Sequence, residues 1–394
     1  MNRLYLDHAA TTPLAGEVLE EMLPYLTTTQ GNPSSVHTTG RAARAAVDSA
    51  RDRLATVLRS TQREIVFTGS GTESDNLALR GVVERWGAER GRHLVVSAVE
   101  HDGVLETARR LEEIGAATLT IVGCERDGRV EPDAVAAAVT PETVLVSVML
   151  VNNETGVIQD VAAIAVAVHR RNHATLIHTD AVQSLGRFPV DPGALGVDLL
   201  SLSAHKVYGP KGVGALWVRH GVTIAAQNTG GGQERNRRSA TENVAGITGF
   251  AAAADLAERR RGAESDRQAV LCRRLVAAVT AAVPGAVDTG AGEHTAPGFA
   301  TFAFPGVRSD VLLATLDMAG VDASAGSACA SGAPLPSHVL RAMGYPDELA
   351  AGALRCTTGR STTVDDVDRA AAIITTAVEQ IRKRTGAAVG ASAS

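Results

Sequence analysis

A chain of 394 residues has enough length for two or three domain-sized units and a sizeable buried core. Hydrophobic residues make up 45%, charged residues 21% and aromatics only 3%, and the formal net charge is -5. Scarce stacking rings and a slightly acidic balance argue against direct nucleic-acid binding and favour small-molecule chemistry.

Four cysteines stand at 124, 272, 329 and 356, with no CxxC pair and no finger-like spacing to histidine. That is neither a disulfide framework nor a zinc site, so no metal is expected, and the chain fits a reducing cytoplasm. The first residues, MNRLYLDHAATTP, lack the apolar run of a signal peptide. Apolar stretches such as 161–168 are far shorter than the roughly 20 residues that cross a bilayer, so no membrane association is expected.

In chain order, short β-rich runs alternate with amphipathic helical stretches from about residue 64 to 218. Strands are predicted at 64–69, 93–99, 143–151, 175–180, 198–204 and 213–218, with helices such as 72–89 and 102–115 between them. This is an α/β pattern, a mostly parallel sheet covered on both faces. Ligands of such sheets gather at the carboxyl ends of the strands. Thr68 to Thr72, His101, Asn153, Asp180, His205 and Lys206 all fall at those ends. After residue 243 comes a long helical stretch, then a second, smaller α/β pattern at 298–304, 309–320, 337–344 and 365–384. Residues 385–394 are a low-complexity Ala/Gly/Ser run, expected to be disordered.

Four segments carry chemistry. In SLSAHKVYGPKGVG (201–214), Lys206 directly follows a buried-looking strand. It reads either as a surface loop lysine or as an amine that forms a Schiff base with an aldehyde cofactor. In TLIHTDAVQSLG (175–186), Asp180 ends an apolar strand. A buried acid there wants a cation such as a protonated pyridine nitrogen, or else it caps a following helix. In FTGSGTESDN (67–76), a glycine-rich turn opens a helix, where backbone N–H groups bind phosphate and Thr72 adds a hydroxyl. The plainer reading is a helix capped by Thr72 with Asp75. The segment does not fit GxxxxGK[ST], so ATP is not expected. In SAGSACASGAPLPS (324–337), Cys329 lies among residues too small and polar to build a core, which favours an exposed, reactive thiol. Cys124, Cys272 and Cys356 lack such a setting and read as structural. Arg355 is a candidate carboxylate clamp, with a solvated surface arginine as the alternative.

Together the segments YLDHAATTP (5–13), GNPSSVH (31–37), TESDN (72–76), EHDGV (100–104), VNNETGV (151–157), TDAVQS (179–184), SAHKVYGPKGVGAL (203–216), GGGQE (230–234) and GSACAS (326–331) resemble the cysteine desulfurases. These are fold-type I, class V aminotransferase-like enzymes of pyridoxal 5'-phosphate. The resemblance implies a homodimer. Each subunit would have a large cofactor domain (15–255) and a small domain (1–14 with 256–384) that presents the thiol. It implies L-cysteine as substrate and a sulfur-acceptor protein as partner.

Carried across by residue, Lys206 would hold the cofactor and act as general base, and Asp180 would pair with the ring nitrogen. His101 would stack on the ring and assist proton transfer, and Gln183 would bond the ring hydroxyl. Gly71, Thr72, Ser203 and His205 would hold the phosphate, and Thr241 would reach the phosphate of the neighbouring subunit. Asn153 and Arg355 would bind the substrate carboxylate, and Cys329 would receive the sulfur as a persulfide.

The Cys329 segment resembles the subgroup with GSAC and a long flexible loop, which supplies iron–sulfur scaffolds or tRNA-thiolation enzymes. Three positions depart from the family pattern: Thr229 where histidine is usual before GGG, SAT (239–241) for SGT, and the low-complexity tail. The tail lacks the scaffold-docking segment, which leaves specialised sulfur metabolism open as a destination. The nearest rival is a selenocysteine or cysteine-conjugate C–S lyase on the same scaffold. A catalytically silent partner that kept the fold is a rival of another class.

Overall fold

The computed structural model describes residues 3–290, 292–326 and 336–386. Its strands in chain order are β1 (Leu4–Tyr5), β2 (Ile65–Thr68), β3 (His93–Ser97), β4 (Thr118–Val122), β5 (Thr143–Ser147) and β6 (Leu176–Asp180). They continue with β7 (Leu199–Ser203), β8 (Gly214–Val218), β9 (Val287–Asp288), β10 (Phe299–Ala303), β11 (Val321–Asp322) and β12 (Ala353–Thr357).

Seven of these form one sheet in the order β2-β8-β7-β6-β5-β3-β4. All its neighbours pair in parallel except where β8 runs against β7 and β2. β3, β5 and β7 are buried at every residue, as strands with helices on both faces must be. The chain is thus α/β with a large, mostly parallel sheet.

The edge strand β4 has no counterpart among the strands predicted from sequence. Only Val122 in it is buried, so it carries no continuous apolar run to betray it. The run predicted at 143–151 leaves the sheet after Ser147, although Val148 and Leu150 still donate to His178 O and Asp180 O.

Helix starts are set by local chemistry. The helix Gly71–Arg90 is capped by Ser70, whose Oγ accepts from Glu73 N at 3.0 Å, and not by Thr72 with Asp75. The helix Asp102–Glu113 is capped by the His101 ring, which accepts from Gly103 N. No helix follows Asp180. Residues 181–187 turn instead, and Asp180 Oδ1 accepts from Val182 N at 2.8 Å.

A second sheet, β12-β10-β9, has its own apolar core, built from Leu271, Leu275, Phe302, Phe304, Ile374 and their neighbours. The helix Val244–Ala282 contributes to both cores, Ile247 to Ala257 to the first and Leu271 to Val279 to the second. The N-terminal Leu4 and Leu6 also join the second core, through the pairing of β1 with β11. The result brings the chain just after β1 against the carboxyl ends of β6 and β7.

Candidate active site

A cavity of about 260 Å³ opens where the carboxyl ends of β6 and β7 meet the start of the helix Gly71–Arg90. Gly71, Thr72, His101, Asn153, Asp180, Gln183, Ser203, His205, Lys206 and Arg355 all line it. Thr241 does not, and its side chain is exposed. Cys329 lies outside the described residues. Gly326 and His338, which precede and follow it in sequence, line the cavity.

Lys206 closes a single helical turn directly after β7. Its Nζ donates to the carbonyls of Ala9 and Ala10 at 2.6 and 2.9 Å. Gln183 Nε2 donates to the same Ala9 carbonyl at 2.9 Å. A half-buried lysine whose ammonium rests on two carbonyls is no solvated surface lysine. His205 is held by Thr11 Oγ1 at 3.1 Å, and its pKa falls to about 4 through burial and then through the nearby Lys206 and Lys211. Neutral at physiological pH, it offers hydrogen bonds and no charge.

At the helix start beside Ser203, the first-turn N–H groups of Gly71 and Thr72 have no partner within their helix. Ser203 Oγ is buried without any hydrogen-bond partner. A Cβ added at Gly71 would come within 2.7 Å of Val182 Cγ2, so only glycine leaves this corner open. Unpartnered donors around a glycine-cleared corner at a helix start suit a phosphate.

The floor is acidic. Asp180, Asp75 and His101 offer atoms that all lie within 4.8 Å of one another. Burial raises the pKa of Asp180, opposed by His101, the Val182 amide and Lys206. Asp75 is raised further, by burial and then by Asp180. Glu100, fully buried behind them, is pushed up to about 8 by burial, although Ser97 Oγ and Met149 N donate to its Oε1.

The fourth wall belongs to Arg355 on β12, which is buried. Its Nη2 pairs with Asp7 Oδ1 at 2.9 Å and its Nη1 donates to Asn153 O at 2.6 Å and Gly326 O at 3.2 Å. The alternative of a solvated arginine is therefore wrong: the second sheet buries it. Its Nε has no partner. Sequence reasoning missed Asp7, the Ala9 and Ala10 carbonyls, Asp75 and Glu154 as parts of the site, although DHAATT, TESDN and NNET contain them.

The residues present fit pyridoxal 5'-phosphate: a lysine amine, an acid for a ring nitrogen, and unpartnered donors for a phosphate. The family model described as aminotransferase class-V matches residues 4–370. The chain belongs to the class-V aminotransferase family. Its cofactor is the pyridoxal 5'-phosphate of that family. Among its relatives, a protein of Dictyoglomus turgidum named cysteine desulfurase IscS is 41% identical over 379 residues, 96% of this chain and 95% of that protein. A solved NifS-like protein superposes with a TM-score of 0.90 at 35% identity, covering 96% of this chain and all of its own. SspA, solved in complex with cysteine, gives a TM-score of 0.79 at 32% identity over 90% of this chain and 98% of its own. As a class-V member this chain therefore keeps the large sheet and the cavity at its carboxyl edge. Among the described residues no helix is long and apolar enough to cross a membrane.

Proposed function

We infer that the protein is a cysteine desulfurase, which converts L-cysteine to L-alanine and passes the sulfur to Cys329 and on to an acceptor protein. The observation that carries this reading is the convergence on one cavity of Lys206, Asp180, the partnerless Ser203 hydroxyl and the buried Arg355, in a chain about 40% identical to proteins named for that activity.

When bound, pyridoxal 5'-phosphate supplies an electron sink for charge that develops on the substrate. Lys206 would hold it and would move the substrate's proton as general base, its amine steadied by the Ala9 and Ala10 carbonyls. Asp180 would pair with the ring nitrogen, Gln183 would bond the ring hydroxyl, and His101 would stack on the ring and assist proton transfer. Gly71, Thr72, Ser203 and His205 would hold the phosphate. Arg355, oriented by Asp7 and the Asn153 carbonyl, receives the substrate carboxylate together with Asn153.

Cys329 attacks the substrate sulfur as a thiolate. The S–S bond forms as the substrate's C–S bond breaks, its electron pair stays with carbon, and a proton completes alanine. The exposed Thr241 fits a role in a neighbouring subunit's phosphate site, which requires a homodimer. A cytoplasmic setting and delivery to iron–sulfur assembly, tRNA thiolation or specialised sulfur metabolism complete the reading. A C–S lyase that needs no persulfide is not favoured, because the matching relatives are named desulfurases.

Incubating the holoenzyme with cysteine and measuring alanine, pyruvate and sulfide, for wild type and Cys329→Ala side by side, tests this. Alanine from wild type alone supports it. Sulfide with pyruvate from both proteins means a β-eliminating lyase, and alanine from neither, or equally from both, refutes sulfur transfer through Cys329.

A further inference from the structure

The floor of the cavity holds more carboxyls than the proposed chemistry uses. Asp75 is 1% exposed, Asp180 5% and Glu100 0%. Asp75 Oδ1 and Glu100 Oε2 are both buried with no hydrogen-bond partner. The residues facing Asp75 bring it almost no positive charge. From β6 come Asp180 and His178, whose Nε2 lies 3.7 Å from Asp75 Oδ1. From β7 comes the Ser201 hydroxyl, which lowers the pKa of Asp75 but brings no charge. From the turn after β3 come Glu100 and His101, and the start of the next helix packs so closely that a Cβ on Gly103 would sit 3.0 Å from Asp75 Oδ2.

His178 is no counter-ion. Its ring nitrogens are taken by the hydroxyls of Ser147 at 2.8 Å and Ser201 at 3.0 Å, and burial drops its pKa to about 3. Lys206 lines the same cavity, but its amine rests on the carbonyls of Ala9 and Ala10. A protonated ring nitrogen would bring one more positive charge, enough for one carboxylate. Two carboxyls this close in a dry site do not both ionise.

We propose that Asp75 is a positioning residue that works as a neutral carboxylic acid, keeping its own proton so that Asp180 alone is the carboxylate facing the ring nitrogen. This rests on the reading of Asp180 as ring-nitrogen partner. The acid reinforces that pairing by what it withholds. An ionised Asp75 would compete with Asp180 for the single incoming cation and would hold part of its charge away from the ring. Burial and the neighbouring Asp180 both raise the pKa of Asp75, in agreement with the geometry.

Asp75→Asn preserves shape and neutrality and removes only the titratable proton. In an infrared difference spectrum of the cofactor-free proteins at neutral pH, wild type should show the carbonyl stretch of a protonated carboxyl that D75N lacks. Loss of carboxylate bands instead would overturn the proposal. Should D75N fail to accumulate, Asp75→Ala is read by the same difference. By absorbance titration, D75N should bind pyridoxal 5'-phosphate within about threefold of wild type, since one neutral group replaces another. A loss of about 30-fold or more, roughly 2 kcal/mol, would mean that Asp75 acts as an anion, and would also sink it. Asp180→Asn separates the two readings: unchanged cofactor affinity there would remove the ring-nitrogen role of Asp180, whatever the infrared spectrum says of Asp75.

Discussion

Buried charge is handled in opposite ways at two places in this molecule. Beside β2, Arg51 and Glu234 meet in a two-pronged pair, with both N–O distances 2.7 Å and both side chains almost wholly buried. The remaining valences are filled: Arg51 also donates to Ile65 O and stacks over Phe67, and Phe67 N donates to Glu234. At the cavity floor, Asp75, Glu100 and Asp180 are as deeply buried, yet two of them keep a partnerless oxygen. At Arg51 and Glu234, where burial serves the fold, each charge is matched. Where a ligand is to arrive, the mismatch stays until the ligand resolves it.

The largest test of this contrast breaks the matched pair. Glu234→Ala leaves the Arg51 guanidinium buried without its anion and should cost about 3–5 kcal/mol, read from urea denaturation. Glu234 also opens three consecutive residues with positive φ (48°, 55° and 61° at Glu234, Arg235 and Asn236), which the ion pair pins in place. A loss below about 1 kcal/mol would equate the pair with an exposed ion pair and end the comparison.

The unmatched side is tested by pH. The pKa of Glu100 is raised to about 8 in the folded protein, so folding retains a proton that the unfolded chain releases above about 4.5. Stability of the cofactor-free enzyme should therefore fall as pH rises from about 4.5 to about 8, and be free of this penalty below that window. The slope from one such proton is roughly 1.4 kcal/mol per pH unit. Glu100→Gln should flatten the curve by that amount and exceed wild type in stability at the alkaline end. Parallel curves for the two proteins would show that Glu100 is ionised when folded.

The smallest effect belongs to a neutral contact between the two sheets' surroundings. The Tyr208 hydroxyl, two residues after Lys206, accepts from Arg360 N at 2.7 Å. Tyr208→Phe should cost about 1 kcal/mol, the ordinary worth of one hydrogen bond, with no change in the pH profile. A loss as large as that of Glu234→Ala would show that the distinction between charged and neutral partners carries no weight in this fold.

Much of this was legible in the sequence. Apolar runs that each stop at a polar residue marked β6 and β7 and put Asp180 and Lys206 at one edge of a sheet, because parallel strands buried on both faces leave polar groups only at their ends. The ordered motifs carried the family and its cofactor. Other features depended on partners far away in the chain. Arg355 reads as a surface residue until Asp7, 348 positions earlier, and Asn153, 202 positions earlier, are folded against it. Asp75 reads as a cap until the fold gives that task to Ser70 and turns the acid toward Asp180. The strand β4 was invisible because an edge strand mostly open to solvent needs no apolar run. Sequence by itself determined which residues end strands and which chemistry they bring, since periodicity and residue type act locally. Only the tertiary structure decided which buried charges find a partner and which must keep a proton, because that balance is set by groups hundreds of residues apart meeting where water is excluded.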